Sequence, residues 1–134
     1  MHQTRQETTT KIPIQRKGTK YVARALYNPE NAVPALIAIR DMLKLARTAK
    51  EVNQLRKEKL IQINGRTVLD ARESIQLFNV LTVGDKSYRL TILPTNKFAF
   101  EETKDAKSRL CKITAKRLVN KGKQQLSLHD GSSV

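Results

Sequence analysis

The chain has 134 residues, enough for one domain or one domain plus part of another, and 39% of them are hydrophobic. It carries 26 Lys and Arg against 12 Asp and Glu, a formal net charge of +14, with 14 basic and 6 acidic residues in 1–70 and 12 and 6 in 71–134. A chain basic along its whole length points to an extended polyanion. A membrane partner is not expected, because no stretch approaches the roughly 20 apolar residues a membrane helix needs.

The first ten residues are polar and rich in Thr and Gln. They predict no secretory leader and a terminus that is frayed or ordered only on binding. Lys11 to Arg24 holds five basic residues among Ile12, Ile14, Tyr21 and Val22, with Pro13 against a helix and Gly18 as an interruption. It reads as an extended basic arm with a short strand pair turning at Lys17-Gly18. Arg16, Lys17 and Lys20 are its candidate phosphate contacts. Tyr27 to Asn31 is a turn by composition.

A first helix is predicted over 32–46, with Pro34 in its first turn. Leu36, Ile39, Met42, Leu43 and Ala46 would form its apolar face. Arg40, Lys44 and Arg47, at i, i+4 and i+7, would line one positive stripe with Asp41 turned away. Thr48-Ala49-Lys50-Glu51 fits a capping box in which Glu51 bonds back to the cap backbone. The second helix is predicted to run to about Glu58, with Ala49, Val52 and Leu55 inward and Lys50, Asn53, Gln54 and Lys57 outward. Its free N-terminal N–H groups offer a phosphate site. Lys59 to Val68 alternates around Asn64-Gly65, a strong signal for a type I′ hairpin. Phe78 to Val83 is a further strand, and these strands are expected to cover the helix pair as a small sheet.

In the remainder, Ser87 to Leu93 alternates as a strand and Phe98 begins its return. Glu101 to Arg109 is predicted as one short helix. Leu110 to Val119 and Gln124 to Leu128 read as strands around a turn at 120–123. The lone cysteine, Cys111, allows no internal disulfide or multi-cysteine zinc site, and is expected as a small buried residue in a strand.

Catalytic chemistry finds no footing in these residues. The five glycines are too scattered for a phosphate loop, the two histidines lie near opposite ends without a cysteine pair, and no serine sits in a nucleophile elbow. No catalytic residue, metal ligand, cofactor or small-molecule substrate is expected. With no Trp and 4% aromatics, single-strand stacking is disfavoured. That leaves folded RNA, recognised by shape and phosphate position.

Residues 39–83 resemble the S-four RNA-binding domain. The ordered series around them resembles the archaeal and eukaryotic small-subunit ribosomal protein family S four E. It comprises His2-x-x-Arg5, Pro13 to Lys20, Arg40-Asp41-x-Leu43-Lys44-x-Ala46, Glu51-Val52, Ile61-x-Ile63-Asn64-Gly65-Arg66, Tyr88-Arg89-Leu90, Lys97-Phe98 and Leu110-Cys111-Lys112. Ile12 and Tyr21 stand where the family has Trp. The family continues into a β-rich part with a KOW motif, which this chain is expected to lack.

The resemblance implies an α+β fold in three parts: a basic extension (1–31), an S-four-like RNA-binding domain (32–83), and a partial β-rich domain with one short helix (84–134). It implies a non-enzymatic, cytoplasmic constituent of the small ribosomal subunit, acting in translation and needing no cofactor. Its partners would be small-subunit rRNA and neighbouring ribosomal proteins. Lys50, Lys57, Lys59 and Arg66 join Arg40, Lys44, Arg47 and the arm as phosphate contacts. The alternative is a non-ribosomal S-four module for ribosome rescue or RNA processing. An enzyme is possible only if a catalytic domain lay outside this chain.

Overall fold

The computed structural model describes residues 2–15 and 17–134. It is a mixed helix-and-sheet fold whose centre is a five-stranded antiparallel sheet in the order β5-β4-β7-β8-β9. The strands are β4 (Ile61–Ile63), β5 (Arg66–Thr67), β7 (Val80–Val83), β8 (Lys86–Ile92) and β9 (Phe98–Thr103). The β4–β5 turn is the predicted one: Asn64 and Gly65 take φ of 54° and 81°, the positive pair a type I′ turn requires. Asn64 also holds the start of β7, its side-chain oxygen accepting from Val80 N–H at 3.0 Å. The expected boundary at 83/84 falls in the turn between β7 and β8, which are paired neighbours of this one sheet.

The first helix differs from its prediction. Ala32–Pro34 is strand β3, paired antiparallel with β6 (Ser74–Gln76). The helix begins at Ala35 as α1 (Ala35–Ile37) and widens into a π-helical segment, Ala38–Met42. Pro34 ends the strand and precedes the helix, so its missing N–H is not needed there. The N–H groups of Ala35 and Leu36, orphaned at the helix start, donate to the carbonyls of Glu73 and Ala71. The helix stops at Met42 because Lys44 turns left-handed at φ 55°. The wider π turn shifts the apolar face: Ile37, Ala38 and Ile39 are all fully buried, whereas Leu36, Met42 and Leu43 only flank the core.

Helix α2 (Ala49–Lys57) begins as predicted, the Thr48 hydroxyl accepting from Glu51 N–H at 3.3 Å. The reciprocal bond is displaced by one residue, because the Glu51 carboxylate accepts from Arg47 N–H at 2.8 Å. The end of α2 is a Schellman closure: Lys59 N–H bonds to Arg56 O and Leu60 N–H to Leu55 O. Lys59 stands at φ 59°, where glycine is usual.

The polar terminus is ordered, correcting the expectation of a frayed end. β1 (His2–Thr4) pairs with β2 (Tyr21–Ala23), so the arm's strand partner is the terminus and not a turn at Lys17-Gly18. Arg5 organises the loop between them, donating to Thr19 O at 2.7 Å, to Thr19 Oγ1 at 2.9 Å and to Gln15 O. Gly18 takes φ 147°, and a Cβ there would lie 3.4 Å from the Arg5 guanidinium. Ile12 and Val22 then join Val33, Ile37, Ile39, Val52, Ile61, Ile75, Leu81 and Leu90 in one core. Burial of each such aliphatic side chain contributes about 1.5–3 kcal/mol.

Two expectations in the second half are corrected. Residues 101–109 form no helix: Glu101–Thr103 ends β9, and the Asp105 carboxylate then accepts from Lys107 N–H and Ser108 N–H in a turn. That local bonding competes with helix. Cys111 is half-buried and lies before, not within, strand β10 (Ile113–Leu118). β10 pairs with β11 (Gln124–Leu128) as a separate hairpin, through a turn at Asn120–Gly122.

Candidate nucleic-acid interface

The loop after the π segment carries the predicted stripe onto the surface. The helix ends before Lys44, so Arg40, Lys44 and Arg47 do not share a helical face. The fold nevertheless brings them to one groove of about 850 Å³ between the helix end and the arm, together with Arg5, Tyr21 and Asp41. Asp41 does not turn away. It pairs with Arg40 through two contacts, Nε–Oδ1 at 3.2 Å and an Nη2–Oδ2 bond at 3.1 Å. Arg40 is thus half neutralised and half-buried, while Lys44 and Arg47 are exposed.

Tyr21 forms one wall of the groove. Its ring is half exposed, meets the His2 ring edge-on with centroids 4.4 Å apart, and has Lys20 Nζ 5.5 Å from its centroid. Lys17 and Lys20 line a second, smaller cleft with Arg5 and Thr19. Arg16, expected on the arm, lies outside the described residues.

Lys50, Lys57 and Lys59 are exposed on or beside α2 and do not line the groove. At the start of α2 the Glu51 carboxylate is held by Arg47 N–H at 2.8 Å. Arg66 has a structural partner: its guanidinium donates to Glu73 at 2.8 Å. Glu73 is buried and also accepts from Leu69 N–H. The Arg66 side chain is still 60% exposed, so it can face both ways.

The four ion pairs among the described residues all use arginine: Arg40–Asp41, Arg66–Glu73, Arg72–Asp70 and Arg109–Asp130. Arg40 and Arg72 use the planar guanidinium in two-point contacts with their carboxylates. Arg5 and Tyr21 are groove residues that charge spacing alone does not single out; the His2-x-x-Arg5 pattern is the only sequence signal for Arg5. Among the described residues no cluster of His, Cys, Asp and Glu could hold a metal ion, and no helix is long and apolar enough to cross a membrane.

The molecule is therefore a cationic protein of mixed helix and antiparallel sheet with a basic groove. Residues 84–134 match the family described as Ribosomal family S4e. The small ribosomal subunit protein eS4 of Archaeoglobus fulgidus is 35% identical over all of this chain and 59% of its own length. That of Methanocella arvoryzae is 31% identical over 91% of this chain and 54% of its own length. The crystal structure of the 30S ribosomal protein S4e from Thermoplasma acidophilum shares the fold, with a TM-score of 0.64 at 24% identity, over 78% of this chain and 55% of that one. The chain is thus similar along its whole length to proteins of the ribosomal S4e family. It spans a little over half the length of the relatives it matches.

Proposed function

We propose that the chain is a structural constituent of the small ribosomal subunit that binds small-subunit rRNA in the cytoplasm during translation. The observation that carries this is the similarity of the whole chain to relatives named small ribosomal subunit protein eS4. Its physical complement is the groove lined by Arg40, Lys44 and Arg47. In this reading residues 32–83 are the S-four-like RNA-binding unit and residues 1–31 extend it. Lys17, Lys20, Lys50, Lys57, Lys59 and the exposed side of Arg66 add phosphate contacts around the groove. Neighbouring ribosomal proteins are the other partners. The chain's task is to neutralise and hold phosphates, which needs no cofactor and no reacting group.

Replacing Arg40, Lys44 and Arg47 together by Ala tests the groove. Each lost phosphate contact lowers the slope of log K against log salt by about 0.7–0.9. The triple variant is expected to lower the slope on small-subunit rRNA by about 2 while keeping the fold. An unchanged slope refutes the assignment.

A further inference from the structure

We propose that the β10–β11 hairpin is a second RNA-binding element, a rigid basic ribbon that enters a groove between two phosphate backbones. It rests on the RNA-binding reading above. From Lys112 to Leu128 there are five basic side chains, Lys112, Lys116, Arg117, Lys121 and Lys123, and no acidic one. None of the five takes part in an ion pair among the described residues. Every residue of β10 is exposed, on both faces of the ribbon. Six strand residues reach about 20 Å.

The arrangement of charge favours a groove over a flat partner. Lys116 and Arg117 are consecutive in the strand, opposite Leu126 and Gln125, so they point to opposite faces. Lys121 and Lys123 cluster at the tip. Cations on both faces and at the end match phosphates on two sides, whereas a protein surface would meet one face. Lys121 also takes φ 67° in the turn, a conformation in which a lysine is strained and glycine or asparagine is favoured. A charge is kept at the tip against that local preference.

The ribbon is aimed by a socket at its base. The His129 ring accepts from Lys112 N–H at Nδ1 (3.1 Å) and bonds to Leu77 O through Nε2 (2.9 Å). Asp130, nearly inaccessible at 3% side-chain exposure, pairs with Arg109, and its carbonyl accepts from Gln76 at 3.1 Å. Val134 reinforces the ribbon, since it and Leu126 exchange both backbone hydrogen bonds. A fixed base with a free, charged end presents a binding element already ordered before it meets its partner.

The test compares three proteins on deproteinised archaeal small-subunit rRNA across a salt series: the wild type, K116Q/R117Q/K121Q/K123Q, and the groove variant R40A/K44A/R47A. The hairpin variant is expected to weaken binding about ten- to a hundredfold and to lower the salt slope by about 3, additively with the groove variant. Lys121→Gly, which removes one charge while relieving the turn, is expected to lower the slope by about 1 with the hairpin intact. If both hairpin variants keep wild-type affinity and slope while the groove variant is weakened, the hairpin inference fails alone and the ribbon faces protein. If the wild type shows no salt-dependent binding, this inference and the reading it rests on both fail.

Discussion

Lys59 sits at a position where glycine would be unstrained, and Lys44 and Lys121 do the same. In each case the backbone is left-handed at the end of a helix or in a tight turn, and the side chain is exposed. The left-handed conformation costs a residue with a Cβ about 1 kcal/mol. Lys59→Gly is therefore expected to raise stability by about 0.5–1 kcal/mol in denaturant titration, since it keeps the Schellman bonds and removes the strain. An equal or lower midpoint contradicts this. The turn around Lys121 is legible from Asn120 and Gly122, but the left-handed backbone at each of the three lysines is not, because lysine itself carries no turn signal. Asn64-Gly65, by contrast, declares its turn through its own chemistry. Arg40 and Arg66 show the same limit for charge: their positions were predictable as basic, but their partners, Asp41 and Glu73, depend on how the backbone turns.

At the scale of elements, what the sequence makes legible is local. The Thr48 cap, the β4–β5 hairpin and the strands on either side of Gly84 all follow from residues a few positions apart. The misread first helix fails for a long-range reason: Ala32–Pro34 finds its partner in Ser74–Gln76, and tertiary pairing overrides helical periodicity. The ordering of His2–Thr4 has the same origin, since its partner begins at Tyr21.

The socket under β10–β11 joins residues still further apart and carries a pH dependence. Burial would push the Asp130 carboxyl up, but the Ser132 hydroxyl and N–H and the Arg109 guanidinium outweigh it and hold it below the ordinary carboxylate range. The sign follows: a depressed folded pKa gives stabilisation that is complete above the unfolded value, near 4, and is lost as pH falls through the folded value. Amide exchange in Gln124–Leu128, measured relative to the intrinsic rate at each pH, is expected to accelerate below about pH 4 in the wild type. Asp130→Asn is expected to accelerate it already at neutral pH, by loss of about 1–3 kcal/mol. Exchange in this segment that is indifferent to both changes contradicts the role of Asp130.

For the whole molecule, the three parts drawn from sequence are tied together more tightly than their charge patterns indicate. Ile12 and Val22 of the basic extension lie in the common core, and Phe98 N–H donates to Lys11 O at 2.7 Å, joining the extension to β9. The central sheet runs through the 83/84 boundary. What this architecture leaves outward is basic: Lys44 and Arg47 at the groove, Lys50 and Lys57 along α2, and Lys116, Arg117, Lys121 and Lys123 on the distal hairpin. In the function proposed above, this surface seats the protein on the small ribosomal subunit. Sedimentation of a lysate expressing the chain at physiological salt tests it most directly. Stoichiometric migration with small subunits is expected, reduced in R40A/K44A/R47A. Absence from the small-subunit fraction, or a substoichiometric, salt-labile association with large subunits as a ribosome-rescue module would show, contradicts it.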